Sequence, residues 1–443
     1  MPIGLPPILK YGDRDREIWR LALPALGALI AEPLYLLTDT AVVGHLGTPQ
    51  LGGLALASQV LFITTALFIF LAYGTTAAVS RLLGAGQIIE AARNAVQSMW
   101  LAFMVGLVLS AGAFAFAEPL LRVLGGDGAV LENALIYLRI STFGIPALLL
   151  MLGGVGYLRG LQDTKRPLIV AAVTAIANLV IEVVLIYRFD YGIGASALAT
   201  VIAQWGGALA YLWWIARAVR SHGVSLAPDS AIIRRLAVAG LDLFLRTASL
   251  RGSFTLAVAV AARMGDVELA AHEVTFALWS FVAFGLDAVA IAGQAMVGKL
   301  LGADDEAEAR AVSRRIVEWG VLLGVIAMVV VLVGRPWLAS LFTDDPAVIS
   351  MVQFLFVFFA LSQPINGVVF ALDGILIGAG DLRFLAFAMA ASAAVFIPMA
   401  LAVLWTGLGI GWLWAALTVF MFARALTLLL RFRSNRWLVT GTL

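Results

Sequence analysis

Twelve apolar runs, each long enough to cross a bilayer, leave this chain little choice of fold. They lie near residues 18–44, 53–80, 95–117, 130–157, 167–189, 193–219, 236–262, 269–298, 312–334, 347–374, 384–406 and 409–430. A helix needs about 20 apolar residues to cross the hydrocarbon core, and lipid offers no water to satisfy a broken backbone. The prediction is an all-α polytopic membrane protein with twelve transmembrane helices. Composition agrees where it bears on this, at 62% hydrophobic and 13% charged residues. A net charge of +2 argues against a nucleic-acid partner. With no cysteine there is no disulfide or thiolate metal chemistry, and His45, His222 and His272 lack metal-ligand spacing. Nothing in the chain calls for a cofactor.

Charge in the connections orients the spans. With residues 1–17 read as a cytoplasmic tail, most Lys and Arg fall on the inner side, and only Arg122, Arg188, Arg263 and Arg335 fall outside. The positive-inside rule then puts both termini in the cytoplasm of a multi-pass protein of the inner, or cell, membrane. The longest polar connection, residues 220–235, joins spans six and seven at the midpoint of the chain.

The chain also repeats. At an offset of about 218 residues, Gly47 meets Gly265, Leu82–Ala85 meets Leu300–Ala303, Pro146 meets Pro364, and Gly156, Gly160 and Asp163 meet Gly374, Gly378 and Asp381. Six spans per repeat is an even number, so the repeats are parallel, an arrangement of transporters that rock two bundles about a central site. The expected parts are residues 1–17, a first lobe over 18–219, a linker over 220–235, a second lobe over 236–430 and a C-terminal tail over 431–443.

Polar residues at membrane depth mark where function sits, because such groups are costly there. Span one carries Asp39, with Tyr35 one turn away, and Pro24 as a point of bending. Span four carries Tyr137 and Arg139. Span five carries Asn178 and Glu182, and span six Thr200 and Gln204, each pair on one helix face at i and i+4. These groups satisfy one another only if their helices converge. Burial and a second carboxylate each favour a protonated carboxyl, so Asp39 with Glu182 is the candidate proton-coupling pair. In the second half, Asp242 and Arg246 stand one turn apart, as an intrahelical ion pair would, and Asp287 lies within span eight.

LTDTAVVGHLG in span one, RLLGAG after span two, GYLRGLQDTKRP after span four, and AAHEVTFALWSF with LDAVAIAGQAMVGKLLGA in the second half together resemble the multidrug and toxic compound extrusion (MATE) family, in its DinF-like branch. The resemblance covers nearly the whole chain. It implies an N-lobe and a C-lobe of six helices around a V-shaped central cleft. It also implies export of lipophilic, often cationic organic compounds by alternating access, in exchange for H⁺ or, as the other possibility, Na⁺. Asp39, Tyr137, Asn178 and Thr200 fall on the family's N-lobe polar network, while Glu182 stands where the family more often has Asp. Glu273 and Asp373 match the cation-linked carboxylates of NorM-type members. Met151, Phe276, Trp279, Phe281 and Met296 lie on spans that line the family's cleft. The resemblance makes a monomer in the lipid bilayer the expected working unit. A lipid-linked precursor flippase of a related superfamily is the alternative, although such proteins tend to have more spans and a more basic cleft. An enzyme would need a Ser/His/Asp or metal-ligand cluster that the sequence lacks.

The orientation is directly testable, since any introduced cysteine is unique. Cysteines at Thr48, Asp127 and Asp344 should react with an impermeant thiol reagent on intact cells. One at Asp229 should react only after the cells are opened, and labelling of Asp229 from outside would reverse the topology.

Overall fold

The computed structural model describes residues 11–189 and 191–442; the first ten residues of the expected N-terminal tail, with Lys10, and the final Leu443 lie outside them. Among the described residues fifteen α-helices follow one another: α1 (Tyr11–Gly44), α2 (Thr48–Ala66), α3 (Phe70–Gly84), α4 (Ile88–Ala115), α5 (Ala117–Val123), α6 (Gly128–Ser141), α7 (Ile145–Gly160), α8 (Lys165–Tyr187), α9 (Gly192–His222), α10 (Ser230–Ala261), α11 (Asp266–Gly302), α12 (Glu306–Leu338), α13 (Pro346–Gly378), α14 (Leu382–Thr406) and α15 (Ile410–Arg433). Single 3₁₀ turns join α2 to α3 and α6 to α7, so each of these pairs forms one span, and the described residues hold 12 helical stretches of membrane-crossing length and apolarity. The predicted twelve-helix architecture is the observed one.

The helices form two compact units. One comprises Gly27–Gly240; the other comprises the chain through Leu26 together with Leu241–Leu443. The same pairings recur in both. The fourth span packs on the second, third and sixth, as α7 on α3, α4 and α9 in the first unit and α13 on α11, α12 and α15 in the second. The contacts inside those pairings repeat at the predicted offset. Gly156 abuts the Ala72 carbonyl, and Gly374 the Ala290 carbonyl. Gly160 meets Thr76, and Gly378 meets Gln294. Gly106 meets Pro146, and Gly324 meets Pro364. A Cβ at five of the six would press into backbone, and one at Gly160 into the Val79 side chain beside the Thr76 carbonyl, so glycine is what brings the helices into contact, as small residues do wherever apolar surface alone cannot drive association in lipid. The fourth span even begins alike in both units, with Asp127 and Asp345 each accepting a backbone N–H at the N-terminus.

Proline is accommodated within this packing. Pro146 cannot donate to the Thr142 carbonyl, and the chain passes through the 3₁₀ turn Thr142–Gly144 just before it. The carbonyl instead accepts the backbone N–H of Ile145 and a 2.8 Å hydrogen bond from Ser110 Oγ of α4, the kind of repair a membrane helix requires.

The boundaries of the units differ from the expected lobes. Helix α1 begins at Tyr11, inside the segment read as a tail, and its residues through Leu26 belong to the second unit. The cause is a set of ion pairs with α12. Arg14 makes a bidentate pair with Glu308 at 2.7 and 2.8 Å, Arg315 another with Asp15 at 2.6 and 2.9 Å, and Trp319 Nε1 donates to Asp15 at 2.7 Å. The midpoint connection shortens to Gly223–Asp229 because charged residues at its ends continue the helices. Gly223, at φ +65°, closes α9 in a left-handed conformation suited to glycine. Gln97 and Trp100 of α4 donate to the carbonyls of Ala227 and Leu226, at 3.0 and 2.9 Å. The backbone N–H of Ile232, that of Ala231 and the Arg93 guanidinium hold the Asp229 carboxyl below the usual carboxylate range. The C-terminal tail is folded too. Trp437 is buried and stacked on Phe432, and Gly441 N–H donates to the Leu301 carbonyl at 3.0 Å.

The glycine contacts yield a prediction. Gly156→Leu and Gly374→Leu should each destabilise their unit by about 2–3 kcal/mol or more through overpacking, read as a lower melting temperature in detergent. Gly112→Leu and Gly285→Leu, at positions with open space for a side chain, should leave it nearly unchanged. Equal losses at all four sites would show that close approach is not what these glycines provide.

Candidate functional site

Three helices of the Gly27–Gly240 unit each present two polar residues one turn apart. These are Tyr35 and Asp39 on α1, Asn178 and Glu182 on α8, and Ser196 and Thr200 on α9. Four residues span about 6 Å along a helix, so the six side chains form two layers. In the first, Thr200 Oγ1 shares a 2.8 Å hydrogen bond with Tyr35 Oη and accepts one of 3.1 Å from Asn178 Nδ2. In the second, Ser196 Oγ donates to Asp39 Oδ1 at 2.5 Å, and Tyr137 Oη, from α6, donates to Asp39 Oδ2 at 3.4 Å. Glu182 lies against Asp39 in this layer. Asp39 is 2% exposed and Glu182 0%. Neither oxygen of Glu182, nor Oδ1 of Asn178, has a hydrogen-bond partner among the described residues. Two carboxyl groups and an amide oxygen are thus buried together with acceptor capacity unused, chemistry that a proton or a small cation would satisfy.

Beside these layers lies a cavity of about 490 Å³. Tyr35, Tyr137, Asn178 and Thr200 border it; Asp39, Glu182 and Ser196 do not. The first layer is thus a floor between the cavity and the carboxylates. Gln204, one turn beyond Thr200, and Met151, expected on a cleft wall, border the same cavity.

Arg139 does not join the network. It lies two residues from Tyr137, about 200° around the helix, and is exposed, with its guanidinium 5.9 Å from the centre of the Phe114 ring. Ser196 is a network member that the sequence reading misses, although its position four residues before Thr200 is a signal for it. Pro24 is half-buried and stands just before the point, after Leu26, where α1 passes from one unit to the other.

The second unit arranges its charges differently. Arg246 pairs with Asp373 of α13 at 2.7 Å, in place of the expected partnership with Asp242, and Arg424 of α15 reaches the same Oδ2 at 2.6 Å. All three are buried, whereas Asp242 is only half-buried, so the interhelical carboxylate is the one that offsets the buried guanidinium. Arg424, a cation within the last span, is a second residue that the sequence reading misses. Its presence also changes the expected Glu273–Asp373 cation site. Asp373 already faces two guanidinium groups, and Glu273 is exposed on α11. Among the described residues no group of three or more His, Cys, Asp or Glu side chains gathers as metal ligands. Asp287 is half-buried on α11. Of the aromatic and methionine residues expected on a cleft, Phe276 and Trp279 stack at 5.4 Å in a cluster with Phe254. Phe281 is exposed, and Met296, 2% exposed, is a core residue of the closely packed half of α11 rather than a lining residue.

The paired units, with buried carboxylates beside a cavity in one of them, define a polytopic membrane transporter built from an internal duplication. The MatE family matches the chain twice, over residues 24–184 and again over 243–404, and the protein belongs to this family of multidrug and toxic compound extrusion (MATE) transporters. It is similar to the DNA damage-inducible protein F of Escherichia coli, 32% identical over 402 residues that cover 89% of this chain and 87% of that protein. It is also 32% identical to Protein DETOXIFICATION 44, chloroplastic, of Arabidopsis thaliana, over 91% of this chain and 80% of that one. A solved MOP superfamily transporter from Pyrococcus furiosus shares the fold, with a TM-score of 0.86 at 20% identity over 95% of this chain and 96% of the other.

The Asp373 triad makes a stability prediction. Asp373→Ala strands two buried cations and should cost about 3–5 kcal/mol, measured by denaturation in detergent. Arg424→Met leaves the Arg246–Asp373 pair intact and should cost much less. If the two variants lose equal stability, charge balance is not what holds the triad.

Proposed function

We propose that this protein exports lipophilic, often cationic organic compounds across the cell membrane by alternating access, driven by protons that bind at Asp39 and Glu182. It works as a monomer with both termini in the cytoplasm. The observation that carries the reading is the burial of two adjacent carboxyl groups, one without hydrogen-bond donors among the described residues, directly behind the floor of a drug-sized cavity. Like charges in contact cannot both persist away from water, so the pair holds a proton between them and passes it on when the surroundings change. Family membership supports the exporter role. The cavity volume falls in the range of about 300–1,000 Å³ of small-molecule sites, which favours a small organic molecule over a lipid-linked precursor.

The coupling step follows from the bonds at Asp39. Ionised, it anchors α1 to Ser196 of α9 and Tyr137 of α6; protonated, it loses the charge that strengthens both bonds. Helix α1 then repacks, with Pro24 as its hinge, and the cavity changes shape. Such a change is a population shift and needs a difference in affinity between two states. Asp373, held between two arginines, has no comparable freedom, which favours the first half as the coupling unit.

The test is transport in proteoliposomes under an imposed pH gradient, an imposed Na⁺ gradient, or neither. Wild-type protein should respond to the pH gradient. Asp39→Asn should abolish gradient-driven transport while eluting as folded protein, and Pro24→Ala should slow transport without changing its pH dependence. Wild-type rates and pH dependence in Asp39→Asn would refute the role of Asp39, and a response to Na⁺ alone would replace the coupling ion.

A further inference from the structure

We infer that the rim of the first unit where α8 begins and α9 ends is a binding site for the headgroup of an anionic phospholipid, with Arg217 and Trp213 as its main contacts. The leaflet, the inner one, follows from the proposed topology; the site itself does not depend on it.

Two guanidinium groups and two indole rings make up this rim. Helices α8 and α9 run antiparallel, for Thr174 of α8 lies against Gly207 of α9, while Arg166, two turns earlier, reaches Trp214, two turns later. The Arg166 guanidinium stands 5.6 Å from the centre of the Trp214 ring. The Trp214 ring lies 6.0 Å from that of Trp213, and the Arg217 guanidinium lies 6.0 Å from the Trp213 ring. Each cation sits over an aromatic face, which steadies it while its edge N–H groups stay available to an oxyanion.

Charge on this rim is unbalanced. Arg166 pairs with Asp163 at 3.2 Å. Lys165, Arg217 and Arg220 are exposed, and none of the three has an ion-pair partner among the described residues. Trp213 is itself 58% exposed. Below it on the same face of α9 come Leu209 and Ile202, and beside them on α8 come Ile169 and Val173, all exposed. An uncompensated cation above an apolar stripe matches a phosphodiester above its acyl chains.

The second unit supplies the contrast. At the offset of about 218 residues Asp163 becomes Asp381, Arg166 becomes Phe384, and Trp213 and Trp214 become Arg431 and Phe432. The cation and the ring have exchanged helices, with the Arg431 guanidinium 4.9 Å from the centre of the Phe384 ring. This rim is satisfied from within. Arg431 makes a bidentate pair with Asp381 at 2.6 and 3.0 Å, and Phe432 is stacked under the buried Trp437 of the chain's own tail. In the first unit the chain leaving α9 is drawn to α4 through Leu226 and Ala227 instead. Arg217 and Trp213 therefore keep an open face at the same place in the frame, and in a bilayer the molecule that meets it is a lipid.

Native mass spectrometry of the purified full-length protein tests the site. The protein in detergent is given equal amounts of phosphatidylglycerol and phosphatidylcholine with the same acyl chains, and the retained lipid is counted. Wild-type protein should retain phosphatidylglycerol in preference. Arg217→Gln should lower that preference about fivefold, the effect of one basic side chain at a membrane surface, and Arg217→Lys, which keeps the charge, should restore most of it. Trp213→Ala should lower it as well, because the ring that steadies the guanidinium is gone. Arg188→Gln, at the other end of α8, should leave it unchanged. An undiminished preference in Arg217→Gln would overturn the inference, as would an equal fall in Arg188→Gln, which would mean overall charge rather than a site. Glycerophosphoglycerol, the same headgroup without acyl chains, should fail to displace the lipid; displacement would make this a site for a soluble phosphate instead. No gradient and no transported compound is present, so each result stands whether or not Asp39 couples transport to protons.

Discussion

The fourth span of each unit meets its neighbours through contacts between glycine and a backbone carbonyl, and the other packing is arranged around them. Gly156 against Ala72 and Gly374 against Ala290 bring helices to a separation that a single methyl group would prevent. In water such pairs would gain from excluding solvent. In lipid the gain comes from dispersion over many close atoms and from shape alone. Even at this separation hydroxyl groups fit, and Thr76 Oγ1 of α3 donates to the Gly156 carbonyl at 3.2 Å, while the carboxylates of the first unit's network lie apart, where α1, α6, α8 and α9 meet.

Much of this is legible in the sequence, for identifiable reasons. A bilayer enforces helix length and backbone satisfaction, so twelve apolar runs translate almost directly into twelve spans. The duplication is legible because glycines at several packing contacts recur in both halves at an offset of about 218 residues, as Gly106, Gly156 and Gly160 recur in Gly324, Gly374 and Gly378. The i and i+4 spacing of Asn178 with Glu182 by itself puts both on one face. The failures have a common cause. Depth in the membrane groups Arg139 with Tyr137, but depth does not tell which way a side chain points around the helix. Nearness in the chain pairs Arg246 with Asp242, while its partner lies 127 residues away on α13. Ser196 and Arg424 escape because a lone serine is common in a membrane helix and a lone arginine near a span end reads as a topology signal. The span boundaries fall short wherever charged residues prolong a helix into the polar zone, as at Tyr11 and at both ends of the Gly223–Asp229 connection.

The duplication conserved geometry while charge diverged. In the first unit Asp39 is held by two hydroxyl groups, and Glu182 beside it has no donor among the described residues. In the second, Asp373 is fixed by two guanidinium groups. A carboxyl held by neutral donors can lose or gain a proton without stranding a partner. One clasped by two arginines cannot, because neutralising it leaves two buried cations uncompensated. The same helical frame therefore holds one buried acid by neutral hydroxyl groups in one half and another by two cations in the other.

The ion pairs at the start of α1 bear on how the protein is made. Arg14 and Asp15 leave the ribosome well before their partners, since Glu308 and Arg315 lie 294 and 300 residues further along. At synthesis rates of about 5–20 residues per second, the beginning of α1 waits roughly 15–60 s for the helix that will hold it. During that interval the acids and arginines between Asp13 and Arg20 have no α12 to engage, and the headgroup region must accommodate them. The second unit closes only when α12 has been inserted, so the start of α1 reaches its final place long after it is made. Maturation of this transporter is therefore not a matter of completing one half and then the other.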